Sequence, residues 1–220
     1  MKASAVLRLP TQMAQIRAYP LISRRKFLGR LRPLVTPDAL SRIATAYQFA
    51  KAAHRGQPRD SGERYFDHPR AVAWILITEL KIRDWRVIVD ALLHDTIEDT
   101  YLLKPENIQR NFGSQVVLDI QLLTKRPRRG YLPRMRDFGS IRVLLVKGAD
   151  RLHNLRTLSG CKSEKQRRQI LETRNKYLPL MDVLVSRLPK KNRWQGEYLK
   201  ARILEIVASY ESKFAAARRV

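Results

Sequence analysis

The sequence predicts an all-α protein organised as a single domain. Apolar residues recur at helical spacing from residue 36 onward, helix-capping residues bound these segments, and neither an internal repeat nor a convincing pair of alternating strand segments is present. The chain has 220 residues and 44% hydrophobic content, which suits one packed domain of ordinary size. We expect this helical domain at residues 37–188, between a basic N-terminal extension at residues 1–36 and a basic C-terminal helix at residues 189–220.

Capping residues and helix breakers divide the chain into helices. Thr36 can cap free N–H groups and Pro37 suits a first helical position, so a helix begins there, and Gly56 ends it. After a polar loop, His68 and Pro69 begin the next helix. Further helices are expected at residues 84–100, 105–113, 114–124, 141–158, 163–188 with a break near Pro179, and 192–217, with a loop at residues 125–134.

The charge of the chain indicates an anionic partner. The formal net charge is +24, from 44 Lys and Arg residues against 20 Asp and Glu residues. Such a surface attracts nucleic acid, ribosomes, anionic lipid or highly phosphorylated small molecules, and charge alone does not choose among them. The acid-free stretch at residues 1–37 contains Arg24-Arg25, as at the start of a twin-arginine export signal, but the apolar segment that such a signal needs does not follow. An export signal and an organelle transit peptide are the alternatives to a basic extension.

Cysteine content and hydropathy bear on the compartment. Cys161 is the one cysteine of the sequence, so the chain has no internal disulfide framework, as expected in a reducing compartment. No apolar run approaches the roughly 18 residues that cross a bilayer. We therefore expect a cytoplasmic protein without a transmembrane segment.

A first group of chemically active residues follows an apolar helical segment. His94 and Asp95 come directly after Leu92-Leu93, and Glu98 and Asp99 lie four residues beyond them, one turn further along a continuous helix. Four titratable groups at the edge of a core are costly unless a cation neutralises them, which indicates a metal site. The alternative is a solvated acidic helix end.

A second polar group repeats this pattern. Asp150, Asn154 and Thr157 have i, i+4, i+7 spacing after an apolar run, so one helix face presents a carboxylate, an amide and a hydroxyl. The alternative is a polar face that packs against a neighbouring helix. Two nitrogen and two carboxylate ligands suit Mn²⁺, Fe²⁺ or Zn²⁺ better than Ca²⁺ and leave positions for water and a phosphate oxygen. These candidate metal ligands are His68, His94, Asp95 and Asp150.

Three motifs resemble the HD hydrolase domain of the Rel and SpoT stringent-response enzymes and of the stand-alone small alarmone hydrolases. The matching segments are residues 53–69, 93–100 and 149–158, and they occur in the order found in that family. The resemblance implies an all-α HD fold, a hydrolase without a synthetase domain, and a Mn²⁺ ion held by the four candidate ligands. The implied reaction removes the 3′-pyrophosphate from ppGpp or pppGpp and gives GDP or GTP plus pyrophosphate.

The same resemblance assigns roles to individual residues. It implies that Glu98 and Asp99 position or activate the attacking water. Further matches to family positions are implied to bind substrate: Arg59 and Ser61 contact the guanosine nucleotide, and Asn154 and Thr157 hold its ribose and phosphates. Asp60 departs from the pattern, because many family members have a lysine there. Which nucleotide and which 5′-phosphate state are preferred is therefore left open.

Other functions are compatible with the same residues. The metal site could act on an adenosine alarmone, ppApp, or remove a phosphate from NADPH. A protein of a different class, binding RNA or the ribosome with an inactive HD core, would also explain the charge of +24. The two functions can coexist if the basic ends hold the enzyme on RNA.

Overall fold

The computed structural model describes residues 22–59, 62–99, 103–127 and 129–217. Regular secondary structure in these ranges is helical, apart from an isolated antiparallel bridge between Pro58 and Arg64. The prediction of an all-α fold is therefore confirmed. No helix of the described ranges is both long and apolar enough to cross a membrane.

Twelve α-helices are named here in chain order within the described residues. They are α1 (Arg24–Leu31), α2 (Pro37–Ala53), α3 (Asp67–Thr78), α4 (Trp85–Leu93), α5 (Thr96–Asp99), α6 (Pro105–Phe112), α7 (Ser114–Leu123), α8 (Tyr131–Phe138), α9 (Ile141–Arg156), α10 (Ser163–Glu172), α11 (Leu178–Arg187) and α12 (Arg193–Ala216). A π-helical turn, Thr173–Tyr177, joins α10 to α11 and forms the break predicted near Pro179. Short 3₁₀ turns lie at Leu158–Gly160 and Lys190–Asn192.

Helix α9 is the centre of the bundle. It is buried over most of its length and packs against α3, α4, α7, α11 and α12. Gly148 allows this close packing, because a Cβ there would lie 2.8 Å from Leu199 Cδ1 and 2.9 Å from Met181 Sδ. The glycine therefore brings α11 and α12 onto the helix that carries Asp150.

The core continues past both boundaries suggested by the charge pattern. Phe27 and Leu31 of α1 are fully buried, and the Phe27 ring packs against Tyr47 at 5.4 Å between centroids. On α12, Leu199 and Ile203 are also fully buried. Apolar residues four positions apart form one buried face on each helix, whereas the many basic side chains lie on the other faces. Residues 1–21 of the N-terminal segment lie outside the described ranges.

The helix predicted at residues 84–100 ends early. Helix α4 stops at Leu93, and the chain turns at His94 and Asp95 before α5 begins at Thr96. The Thr96 hydroxyl donates to the Leu93 carbonyl at 2.7 Å and satisfies an acceptor at this helix end. The expectation that Glu98 lies one continuous helical turn beyond His94 is therefore wrong.

The loop predicted at residues 125–134 is shorter than expected. Gly130 adopts a positive φ of 75°, and α8 begins at the next residue, Tyr131. Pro133 lies in the first turn of α8, where its missing N–H removes no intrahelical hydrogen bond. Proline and glycine here mark a helix start that the sequence analysis assigned to a loop.

A buried carboxyl group in α4 makes stability dependent on pH. Asp90 is fully buried and neither of its side-chain oxygens accepts a hydrogen bond; Arg142 donates to Asp119, and its Nε lies 3.8 Å from Asp90 Oδ2. Burial, together with the Asp119 carboxylate, raises the pKa of Asp90 well above its usual range. Folded protein then keeps a proton that unfolded protein releases above its pKa of about 3.9, so the free energy of unfolding falls as pH rises through this window.

We expect Asp90→Asn to unfold at higher urea concentration than wild type at pH 8, with the difference shrinking toward pH 5. The amide removes the ionisation and can donate a hydrogen bond to Asp119. Urea unfolding measured across pH checks this result. Asp182→Asn changes an exposed carboxylate of α11 that pairs with Lys200, and should leave the pH dependence as in wild type. A pH profile of Asp90→Asn parallel to that of wild type would contradict the assignment.

Candidate metal and catalytic site

Three parts of the chain bring the four candidate metal ligands together. His68 is the second residue of α3, His94 and Asp95 form the turn after α4, and Asp150 lies in α9. All four side chains are buried. Ligand atoms of His68, His94 and Asp150 all lie within 4.8 Å of one another, and Asp95 Oδ2 lies 3.2 Å from His94 Nε2 and 3.6 Å from His68 Nε2. The proposed ligand set is thus close in space, although its role as a ligand set stays a prediction.

The hydrogen bonds of His94 test whether this cluster suits a cation. Its Nδ1 lies 2.9 Å from the Ala91 carbonyl oxygen, which can only accept, so Nδ1 carries the hydrogen. The lone pair of Nε2 then faces Asp95 Oδ2 at 3.2 Å and Asp150 Oδ1 at 3.9 Å, and this buried nitrogen has no hydrogen-bond partner. These electron-rich atoms repel one another when His94 is neutral, unless a cation lies among them. Without a metal, a proton on Nε2 relieves the repulsion, in agreement with the raised pKa of His94. The residues therefore fit a divalent metal ion.

His153 contacts the ring nitrogen of His68 that points away from the carboxylates. Nδ1 of His68 lies 2.9 Å from Nδ1 of His153, so one of these nitrogens donates to the other. When His68 donates, its Nε2 lone pair faces Asp150 Oδ1 at 3.2 Å. A partner of this kind fixes the tautomer of a ligating histidine. The sequence analysis assigned no role to His153, although its position three residues after Asp150 places it near the same helix face.

The charges of the cluster follow from burial and from neighbouring groups. Burial, assisted by Arg59, lowers the pKa of His68 to about 4. Burial also disfavours charge on His94, but the Asp95 carboxylate outweighs it and raises the pKa of His94. For the two carboxyl groups burial opposes ionisation, yet His94 holds the pKa of Asp95 low and Lys147 holds that of Asp150 low. Two ionised carboxylates and a neutral His68 are the protonation states that bind a metal ion.

Asp150 has two further donors on its own helix. Lys147 Nζ donates to Asp150 Oδ2 at 2.7 Å, and Asn154 Nδ2 donates to Oδ1 at 2.5 Å. Lys147 is not among the site residues predicted from the sequence. The available signal is a lysine that directly follows the apolar run at residues 143–146, three positions before Asp150.

Two of the predicted substrate residues meet beside the cluster. Arg59 donates through one terminal nitrogen to Asn154 Oδ1 at 2.7 Å, while its other terminal nitrogen is buried without a hydrogen-bond partner. Thr157 caps the C-terminal end of α9, and its hydroxyl donates to the carbonyl of His153. Ser61, with its neighbour Asp60, lies outside the described residues.

The structure describes the side chain of Glu98, one of the two predicted catalytic carboxylates, but not that of Asp99. Glu98 Oε2 accepts a hydrogen bond from the Lys125 backbone N–H at 2.9 Å, and its Oε1 lies 3.7 Å from Lys125 Nζ. This contact joins α5 to the loop after α7. Asp99 is the last residue of α5, and its side chain lies outside the described part of the structure.

His54 belongs to the first sequence motif but lies one layer behind the cluster. Its ring stacks on Tyr65 with centroids 4.5 Å apart and an interplanar angle of 15°, and the Tyr65 hydroxyl donates to Asp95 Oδ2 at 3.1 Å. His54 therefore supports a residue that orients a candidate ligand.

Similarity to known proteins agrees with the resemblance of the motifs. Bifunctional (p)ppGpp synthase/hydrolase SpoT of Escherichia coli K12 is 38% identical over 155 residues, which are 65% of this chain and 22% of SpoT. A GTP pyrophosphokinase of Myxococcus xanthus is 42% identical over 166 residues, covering 67% of this chain and 21% of that protein. This chain thus spans about a fifth of the length of these curated relatives.

A solved structure and a family profile also match this chain. The structure, described as a metazoan ortholog of SpoT that hydrolyses ppGpp, superposes with a TM-score of 0.63 at 27% identity and covers 77% of this chain and 96% of that chain. The profile of the HD domain matches residues 46–184, from the middle of α2 to α11. Because that match includes more than half of the sequence, the chain belongs to the HD domain family.

Proposed function

We propose that this chain is a metal-dependent pyrophosphohydrolase that removes the 3′-pyrophosphate from ppGpp and pppGpp, giving GDP or GTP plus pyrophosphate. The observation that carries the proposal is the buried cluster of two histidines and two carboxylates with the partly unpaired Arg59 guanidinium near it. Relatives named for hydrolysis of guanosine-3′,5′-bis(diphosphate) support the substrate class.

The residues divide between holding the metal and holding the substrate. His68, His94, Asp95 and Asp150 would hold the ion, for which we propose Mn²⁺, with Fe²⁺ or Zn²⁺ compatible with the same ligands. When bound, the ion supplies Lewis-acid stabilisation of a phosphoryl oxygen and lowers the pKa of a water molecule.

The remaining roles fall to residues at the edge of the cluster. Arg59 would bind a phosphate through its unpaired terminal nitrogen, and Ser61 would contact the nucleotide nearby. Asn154 and Thr157 would hold the ribose and phosphates. Glu98 and Asp99 would orient the attacking water and take its proton.

Pyrophosphate release measured with ppGpp, pppGpp, ppApp and NADPH tests the proposal. We expect rapid Mn²⁺-dependent cleavage of the two guanosine compounds and its loss in the presence of a chelator. Cleavage of ppApp or NADPH alone would keep the metal chemistry and assign this chain a different nucleotide substrate. No turnover by protein that binds Mn²⁺ would contradict the enzymatic function.

The net charge of +24 favours a second function, in which basic segments contact RNA. Because α1 and α12 pack into the core, we would remove only residues 1–21 and replace Lys190, Lys191 and Arg193 with glutamine. The variant should bind single-stranded RNA more weakly and with a shallower salt dependence than wild type. Unchanged affinity and salt dependence would exclude contact through the basic ends.

A cytoplasmic location stays a prediction that rests on the single cysteine.

A further inference from the structure

Lys147 is a buried lysine whose ammonium group pairs with a candidate metal ligand. It is 3% exposed, and its Nζ donates to Asp150 Oδ2 at 2.7 Å. The rings of Tyr131 and Tyr177 flank the ammonium group, with centroids 5.4 Å and 5.6 Å away. Burial of an ammonium group is costly and must be balanced by specific contacts. Lys147 thus places a positive charge directly beside one carboxylate of a cluster that would bind a cation.

The two oxygens of Asp150 face different groups. Oδ1 lies 3.2 Å from His68 Nε2 and 3.9 Å from His94 Nε2, within the candidate metal cluster. Oδ2 is taken by Lys147 on the other side of the carboxyl group. With this contact in place, Asp150 presents one oxygen to the cluster, since rotation of the carboxyl group would break a short, charge-assisted hydrogen bond in a buried environment.

The position of Lys147 is itself fixed. Tyr131 is buried, its hydroxyl donates to the Leu123 carbonyl at 2.8 Å, and this bond joins the start of α8 to the end of α7. On the other side of the ammonium group, the ring of Tyr177 in the π-helical turn packs against the Arg151 guanidinium, whose central carbon lies 3.4 Å from the ring centroid. Two anchored rings thus hold the ammonium group behind Asp150 rather than within the metal cluster.

We propose that Lys147 is a positioning residue that limits Asp150 to a single metal-ligand oxygen. This inference rests on the proposed metal-dependent function. Without Lys147, Oδ2 could turn toward the cluster while Asn154 still donates to Oδ1. At a pH where Asp150 stays ionised the cluster would be more negative, so the ion would be held at least as tightly. The second oxygen would then compete with water or a phosphate oxygen for the ion. Lys147 would therefore lower the affinity for the metal ion and keep the ion accessible to water or a phosphate oxygen.

Lys147→Met tests the proposal, because methionine has a similar reach without charge or N–H donors. We expect Mn²⁺ affinity, measured by calorimetry, to equal or exceed that of wild type. Water-proton relaxation should report one fewer water on the protein-bound Mn²⁺. Turnover of ppGpp should fall about 10- to 100-fold, as for other changes to partners of metal ligands. Lys147→Leu, which also lacks charge and N–H donors, should behave in the same way if the methionine variant does not fold.

Arg156→Met is the matched control. Arg156 is also a cation of α9, but it pairs with Glu79 at 2.7 Å, at the C-terminal end of the helix. Its replacement should lower the melting temperature and leave Mn²⁺ affinity, water count and turnover unchanged.

Different failures can be told apart. Weaker Mn²⁺ binding by the Lys147 variants, or an unchanged water count, would overturn the positioning role. Wild-type protein that binds Mn²⁺ but cleaves no alarmone would contradict the proposed function, while the water count would still decide the role of Lys147. Wild-type protein that binds no divalent metal would overturn both.

Discussion

Replacing His94 with glutamine should abolish metal-dependent turnover without destabilising the metal-free protein. The glutamine amide can reach the position of the imidazole Nε2 and brings N–H donors where the histidine has a lone pair facing Asp95 and Asp150. We expect Mn²⁺ affinity to fall by more than the roughly 10- to 100-fold lost with an outer-shell partner. Urea unfolding without metal, at a pH where His94 is unprotonated, should show equal or greater stability, because hydrogen bonds replace a repulsive contact.

Asp90→Asn is the control for this substitution, since it also changes a buried ionisable group associated with α4, four residues before His94. It should keep the Mn²⁺ affinity and turnover of wild type. Calorimetric titration and pyrophosphate release measure both variants. Wild-type Mn²⁺ affinity in His94→Gln would show that His94 is not a ligand. A large loss of metal-free stability would show that its contacts with the carboxylates are favourable without an ion.

The sequence predicts a helix boundary correctly where a capping residue, proline or glycine at that boundary determines it. Thr36 accepts a hydrogen bond from the Ala39 N–H, and Pro37 opens α2, as expected from their sequence. Pro105 opens α6, and Gly113, with a φ of 90°, ends it. In each case the boundary depends on one or two residues and their own backbone or side-chain geometry, which the sequence contains directly.

Boundaries that depend on competition between contacts were not predictable in the same way. The apolar period continues from α4 through Ile97, so the sequence suggests one helix, but the Thr96 hydroxyl bond to Leu93 accompanies a turn between them. Similarly, charge dominates residues 22–36, whereas burial of Phe27 against Tyr47 decides that α1 joins the core. Pairwise packing outweighs average composition at such positions.

The candidate site was predictable in its ligands and not in their supports. His94, Asp95 and Asp150 follow apolar helical runs, which is enough to place titratable groups beside a core. Lys147 and His153 each contact one atom of a candidate ligand. Lys147 Nζ lies 2.7 Å from Asp150 Oδ2, and His153 Nδ1 lies 2.9 Å from His68 Nδ1. Spacing places both residues near Asp150 on α9. The atom that each contacts depends on side-chain orientation and, for His153, on packing between α3 and α9.

Asp99→Asn should remove most turnover and leave folding and metal binding intact. Resemblance assigns both Glu98 and Asp99 to the attacking water, but Glu98 already accepts the Lys125 backbone N–H at 2.9 Å. This contact holds Glu98 Oε2 against the loop after α7. We therefore propose that Asp99 accepts the proton. Loss of a general base lowers kcat by about 10²- to 10⁴-fold, which single-turnover pyrophosphate release can measure.

Glu98→Gln separates the two carboxylates. The glutamine carbonyl can still accept the Lys125 N–H, so the contact between α5 and the loop after α7 is kept while the negative charge is lost. If Glu98 serves mainly to hold that loop, the variant should keep turnover within about tenfold of wild type, well above Asp99→Asn. A loss as severe as that of Asp99→Asn would assign the base to Glu98 or to the pair acting together. Full activity in Asp99→Asn, with metal content unchanged, would remove Asp99 from the chemistry and leave Glu98 as the candidate.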